Sequence, residues 1–269
     1  MINTLHYSMN DLEDYFNKNT GRVITKWSHY FDVYDRHFSK FRGKDIVLLE
    51  IGTLHGGSLQ MWKHYFGDKA KIYGIDINPN CKEVEEENVT ILTGSQSDRK
   101  FLQRVKNEIP PIDILIDDGG HTMLQQIVTF EELFDHIKPE GIYLCEDMHT
   151  AYWTKFGGGL KRKGSAIEYS KNFIDQLNAY HSEQNSFKEN SFTRSVNSLH
   201  YYDSILVIEK KPTPKPTNGS TGTLTISEPE KPALKGFDLL KEKARYKVRR
   251  RLNRIAGFFS LPLQNGDFI

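Results

Sequence analysis

The chain has 269 residues, 38% of them apolar and 26% charged, which leaves room for one sizeable domain with appendages and excludes a disordered chain or a membrane bundle. The formal net charge of +1 hides a division, because residues 235–254 carry nine Lys and Arg against Asp238 and Glu242, a net of +7 that leaves −6 for the remainder. With only Cys81 and Cys145, nothing suggests a disulfide framework or a thiolate zinc site, and a reducing cytoplasm fits.

Residues 9–42 read as helices: Leu12, Tyr15 and Phe16 recur at helical spacing, and an aromatic-rich stretch follows from Trp27 to Phe41. From Ile46 the pattern alternates. IVLLEIG is a short buried strand ended by glycine, SLQMWKHYF is helical, KIYGIDI and NVTILTG are strands, and the stretch from Asp98 to Asn107 is helical. IDILIDDGG is a fourth strand, TMLQQIVTFEELFDHI a helix of about four turns, and GIYLCEDM a fifth strand. After glycines 157–159 and a helix over about 165–181, NSLHYYD and SILVIEKK follow too closely for a crossover helix and predict an antiparallel hairpin. Strands alternating with helices predict parallel βαβ units. The fold class is therefore α/β, a doubly wound Rossmann-like sheet of seven strands, parallel with one antiparallel strand. The expected parts are an N-terminal helical segment (1–44), a catalytic domain (45–211), a Pro/Thr/Gly/Ser-rich flexible linker (212–235) and a basic tail (236–269).

Ligands of such sheets bind beyond the carboxyl ends of the strands, where strand order reverses. There the first strand ends in Glu50, Ile51, Gly52, Thr53, Leu54, His55, Gly56, Gly57 and Ser58. The glycines permit a sharp turn and close approach of backbone to ligand. The second strand ends at Asp76, about twenty residues on, where a carboxylate takes the hydroxyls of an adenosine ribose. The loop lacks the GxGxxG of a nicotinamide site and has Glu50 ahead of GxxxGG, which favours S-adenosylmethionine over a dinucleotide. Gln96 and Ser97, after the third strand, are placed to reach an adenine edge; the alternative is that Ser97 or Asp98 caps the next helix.

Asp117-Asp118-Gly119-Gly120-His121 and Glu146-Asp147 end the fourth and fifth strands, neighbours in this topology. Two converging acidic pairs repel each other unless a cation sits among them, and magnesium or manganese favours such oxygen ligands. His121, after two glycines, suits a general base for an alcohol, with His149 a weaker rival. Tyr152 and Trp153 beside Gly157–Gly159 suggest a lid that stacks on a sugar ring, or simple packing.

LLEIGTLHGGSLQMW, YGIDINP, ILIDDGGH, YLCEDMHTAYW and LHYYDSILVIEK, in this order over residues 45–210, resemble the metal-dependent sugar O-methyltransferases. That family comprises macrocin- and mycinamicin-type enzymes, bacterial glycan methyltransferases and cephalosporin-hydroxylase-like proteins. The resemblance implies magnesium (or manganese) held by Asp118, Glu146 and Asp147, with His121 as the base. It implies S-adenosylmethionine bound by Glu50, Gly52, Thr53, Gly57, Ser58, Asp76, Gln96, Ser97 and Asp117. Gly120 stands where the family commonly has Ser, and the long N-terminal region of the macrolide enzymes has no counterpart of that length, so a homo-oligomer is neither implied nor excluded.

The expected acceptor is a sugar, of a bacterial surface glycan (O-antigen or capsule) or a glycosylated metabolite. Competing expectations are a small phenolic or antibiotic acceptor, and a non-catalytic cofactor-binding scaffold in a glycan-assembly complex. Nucleic acid is disfavoured because the cleft offers acids where a phosphate backbone needs bases. In the tail, Phe237, Leu240, Ala244, Val248, Leu252, Ile255 and Phe259 mark one helical face among Lys241, Arg245, Arg249, Arg250 and Arg254. That pattern predicts a helix lying on an anionic membrane surface, with docking on a protein as the next reading. The N-terminus, MINTLHYSMNDLEDYF, lacks the order of a signal peptide, so the expected location is cytoplasmic, peripheral to the inner face of the membrane.

Overall fold

The computed structural model describes residues 10–226 and 237–258. One unit ends at Thr217 and a second covers the rest of the chain.

The first unit is a seven-stranded sheet between two layers of helices. Its strands are β1 (Val47–Ile51), β2 (Lys71–Asp76), β3 (Val89–Thr93), β4 (Ile112–Asp117), β5 (Ile137–Cys145), β6 (Val196–Tyr201) and β7 (Leu206–Lys210), in the order β3-β2-β1-β4-β5-β7-β6. The first five are parallel, and β7 runs against both β5 and β6. All five residues of β1 are buried. A strand covered on both faces must be apolar throughout, which is why VLLEI shows no alternation. Its one acid, Glu50, is fully buried.

On one face, α1 (Asp11–Lys18), α2 (Tyr30–Phe38) and α3 (Gly57–Phe66) cover Leu48, Ile114 and Ile142 with Leu12, Tyr34, Phe38 and Trp62. On the other, α4 (Arg99–Glu108), α5 (Met123–Leu133) and α6 (Ala166–Leu177) cover Leu49, Leu115 and Tyr143 with Leu102, Val128 and Phe173. The short α7 (Ser191–Ser195) leads into β6.

Two elements differ from the sequence expectation. The helix after β4 closes at Leu133 and continues as a 3-10 turn over Phe134–His136, so it is shorter than four turns. The aromatic stretch is helical from Tyr30, as an α-helix to Phe38 and a 3-10 turn over Ser39–Phe41; residues 19–29 contain no helix, and they cross the site described below. Among the described linker residues, 212–226, no helix or strand occurs. The second unit contains α8 (Phe237–Phe258), on which Leu240, Val248 and Leu252 are exposed. Phe259, placed by the sequence on its apolar face, lies outside the described residues.

Candidate active site

The order of strands reverses between β1 and β4, and their tips touch there. The Asp118 amide donates to the Ile51 carbonyl at 3.0 Å. A Cβ on Gly52 would stand 2.0 Å from the Asp118 carbonyl oxygen, and Gly52 has φ +92°, so position 52 admits only glycine. This crossing brings the glycine loop and the acidic motif together.

Glu50 points into the helical layer, where it accepts from Ser58 Oγ at 2.6 Å and Trp62 Nε1 at 3.1 Å. Burial holds its carboxyl above the ordinary range, against the pull of Lys26. Asp76 Oδ2 accepts from the amides of Thr53 (3.0 Å) and Leu54 (3.1 Å), and so closes the loop onto β2. The start of α3 is equally tight: a Cβ on Gly57 would meet the Val23 and Arg22 carbonyl oxygens at 2.4 and 2.5 Å.

Gln96 is 5% exposed and turned inward. Its Nε2 donates to Asp117 Oδ1 (2.9 Å) and Thr129 Oγ1 (3.1 Å), and its Oε1 accepts from the Gly120 amide (2.7 Å). Ser97 pairs with Ser95, and Asp98 caps α4 through the Lys100 and Phe101 amides, as the capping alternative expected. Asp117 is buried, its carboxyl raised to about 7 by that burial, with Oδ2 left without a partner.

Asp118, His121 and Asp147 gather: one ligand atom from each lies within 4.8 Å of the others. His121 Nε2 stands 3.4 Å from Asp147 Oδ2 and 3.9 Å from Asp118 Oδ1. Both His121 (φ +56°) and Asp147 (φ +53°) adopt the left-handed conformation, which costs a non-glycine residue about 1 kcal/mol or more. Neighbours hold them there. Thr150 Oγ1 donates to the His121 carbonyl at 2.9 Å, and the next residue, Thr122, forms a capping box with Gln125. Glu146 is handled differently, since both its oxygens lie within 3.0 Å of Lys26 Nζ and Oε1 accepts from Tyr34. His149 bonds through Nδ1 to Ser204 Oγ and sits 3.9 Å from Asp147 Oδ1.

Three residues of this constellation come from the N-terminal segment, which the sequence pattern marks only as helical and aromatic-rich. Lys26 Nζ donates to Asp118 Oδ2 at 2.6 Å and lies 3.6 Å from Glu50 Oε1, with its side chain 2% exposed. Tyr30 donates to Asp147 Oδ1 and Tyr34 to Glu146 Oε1, each at 2.7 Å. Burial alone would lower the Lys26 pKa, but Asp118, Glu146 and Glu50 hold it well above its ordinary value. Asp118 is raised by burial, and Glu146 by burial and by Asp118 beside it. The available signal was the i, i+4 spacing of Tyr30 and Tyr34, which puts two hydroxyls on one helix face.

Three acids (Glu50, Asp118, Glu146) thus meet one lysine while Tyr30 holds Asp147 beside them, and burial is the main reason that the first three carboxyls are raised. An oxygen-rich, net negative cluster fits a hard divalent cation such as magnesium or manganese. The glycine loop at the switch point, beside the unpartnered Asp117 oxygen, fits a nucleoside-bearing cofactor.

Residues 49–148 match a family described as a methyltransferase domain. The chain is 36% identical over 209 residues to demethylmacrocin O-methyltransferase of Streptomyces fradiae, covering 72% of this chain and 52% of that one. It is 37% identical over 196 residues to mycinamicin VI 2''-O-methyltransferase of Micromonospora griseorubida, covering 68% and 48%. The structure of the methyltransferase MycE in complex with Mg, SAH and mycinamycin VI superposes with a TM-score of 0.69 at 32% identity, covering 76% of this chain and 54% of that one. The chain spans about half the length of these relatives.

Proposed function

We propose that the chain methylates a sugar hydroxyl from S-adenosylmethionine with a divalent cation as partner, a reading supported by its match to a methyltransferase domain and its similarity to demethylmacrocin and mycinamicin VI O-methyltransferases. The observation that carries this reading is the convergence of Asp118, His121 and Asp147 beside the glycine loop. Asp118, Glu146 and Asp147 would hold magnesium or manganese. Gly52, Thr53, Gly57, Asp76 and Ser97 would line the cofactor pocket, and the buried side chains of Glu50, Ser58, Gln96 and Asp117 would support that lining from behind. When bound, the cofactor supplies an electrophilic methyl on sulfur and the cation acidifies the acceptor hydroxyl. His121 takes the hydroxyl proton at Nε2, and Asp147 and Asp118, 3.4 and 3.9 Å away, stabilise the imidazolium that forms. The anchored main chain around His121 keeps that ring in place before substrate arrives.

Beside the acids, Trp27 and Trp153 are 54% and 44% exposed and flank His149 edge-on, with ring centroids at 5.9 and 4.7 Å. Exposed tryptophans there suit the face of a sugar ring. The acceptor we favour is a sugar of a bacterial surface glycan, with a glycosylated metabolite next. No helix among the described residues is long and apolar enough to cross a membrane. On α8, exposed Leu240, Val248 and Leu252 adjoin Arg245 and Arg249, which supports a tail that rests on anionic lipid at the inner leaflet.

The decisive experiment is methyl transfer from labelled S-adenosylmethionine to a panel of sugars, glycosides and phenols. His121→Ala should lose turnover by about 100-fold or more and still bind Mn2+ and S-adenosylhomocysteine. Loss of Mn2+ binding in that variant would make His121 a ligand instead. Full activity in excess EDTA would end the metal reading. Flotation on anionic vesicles that survives deletion of residues 236–269 would end the tail reading.

A further inference from the structure

Asp118 and Asp147 each have an outer and an inner oxygen. Asp118 Oδ2 is held by Lys26 at 2.6 Å, and its Oδ1 faces His121 Nε2. Asp147 Oδ1 is held by the Tyr30 hydroxyl at 2.7 Å, and its Oδ2 faces the same nitrogen. In both, a donor from the N-terminal segment takes one oxygen and leaves the other toward the imidazole. The terminal torsion of an aspartate is broad and roughly two-fold, so a fixed donor on one oxygen selects which one is presented inward.

We propose that Tyr30 and Lys26 are positioning residues for the divalent-cation site: they set the rotation of Asp147 and Asp118 so that one oxygen of each is offered to the ion. The proposal rests on the reading that these acids hold such an ion. Two further observations carry it. Tyr30 is confined by its surroundings: it is fully buried and packs edge-on against Tyr34 at 6.1 Å, and Tyr34 packs edge-on against Trp62 at 5.1 Å. Tyr30 also serves Asp147 twice, since its hydroxyl oxygen accepts from the Asp147 amide at 3.3 Å while its hydrogen goes to the carboxylate. One phenol therefore fixes both the left-handed backbone and the side-chain rotation of the same acid. Lys26 orients Asp118 and Glu146 together, donating to Asp118 Oδ2 at 2.6 Å and to Glu146 Oε1 at 2.9 Å.

The test uses Mn2+ as probe on the full chain, with S-adenosylhomocysteine affinity and thermal melting as checks of folding. Tyr30→Phe removes one oxygen and keeps the ring. It should weaken Mn2+ by about 10–100-fold and raise the Mn2+ concentration needed for half-maximal rate by the same factor. The affinity for S-adenosylhomocysteine should be unchanged, and the rate at saturating Mn2+ should fall by a smaller factor than the Mn2+ affinity does. Lys26→Arg keeps the charge but replaces a point donor with a planar fork; it should weaken Mn2+ by about tenfold. A merely structural role would lower the melting temperature without moving Mn2+ affinity, and that result in both variants overturns the proposal. If the wild-type chain binds no Mn2+, the metal reading falls and takes this proposal with it; wild-type binding with unaltered variants overturns this proposal alone.

Discussion

Lys26 and Lys210 are both buried lysines at opposite rims of the sheet, and they are held in opposite ways. At the rim where β4 and β5 end, Lys26 meets three carboxylates within 3.6 Å. At the other rim, Lys210 Nζ donates to the carbonyls of Phe134 (3.0 Å) and Ile137 (2.6 Å) and lies 4.7 Å from the Phe134 ring centroid. Those carbonyls flank the 3-10 turn that ends α5, the negative end of a helix, where free carbonyls need donors. Lys210 satisfies acceptors that the fold creates in any case. Nothing in the backbone demands Lys26; only the acids do. A buried positive charge answering clustered acids marks a site held together for chemistry, and one answering carbonyls marks a helix end.

The largest expected effect breaks the first arrangement. Lys26→Met leaves Asp118 and Glu146 buried without a counter-charge and should cost about 3–5 kcal/mol in urea unfolding. Saturating Mn2+ should restore part of that loss, because the ion offers the same acids a charge. In the Lys26→Met background, adding Asp118→Asn removes one of the repelling acids and should recover about 1–3 kcal/mol, a coupling readable in a double-mutant cycle. Purely additive effects would mean that the lysine acts on the fold through its packed methylenes.

The strand tips were legible because their chemistry is local. Asp118, His121 and Asp147 follow buried apolar strands directly, and parallel topology then dictates that neighbouring tips meet. The N-terminal contribution was not. Lys26 lies 92 residues from Asp118 and 120 from Glu146 in the chain, within a stretch that the sequence pattern marks only as aromatic-rich and helical. No local pattern announces a contact across that separation. Gln96 shows the reverse limit. A polar residue after a strand reads as ligand-facing, but the sequence does not reveal that Asp117, Thr129 and the Gly120 amide are all within its reach. The sequence shows His121 and Asp147 as side chains only, and their left-handed backbone, which depends on Thr150 and Tyr30, is a property of the assembled site.

Lys210→Met should cost less than the Lys26 change, about 1–2 kcal/mol, because two carbonyls lose a donor but no charge is stranded. Mn2+ should leave that loss untouched.

The smallest effect is the alkaline behaviour of the two lysines, and it has opposite signs. Burial lowers the Lys210 pKa from its ordinary value. As pH rises from that lowered value toward about 10.4, the unfolded chain binds more protons than the folded one at this position, so its contribution to stability grows. Lys26 is raised. Its contribution is fully present below the ordinary lysine value and is lost as pH climbs beyond it, through the folded value. Melting temperatures measured from pH 8 to 11 should therefore fall more steeply for Lys210→Met than for wild type, since the variant lacks the term that rises. A steeper fall in the Lys26→Met variant as well would mean that Lys26 titrates in the same direction as Lys210, and that its acids are protonated rather than paired with it.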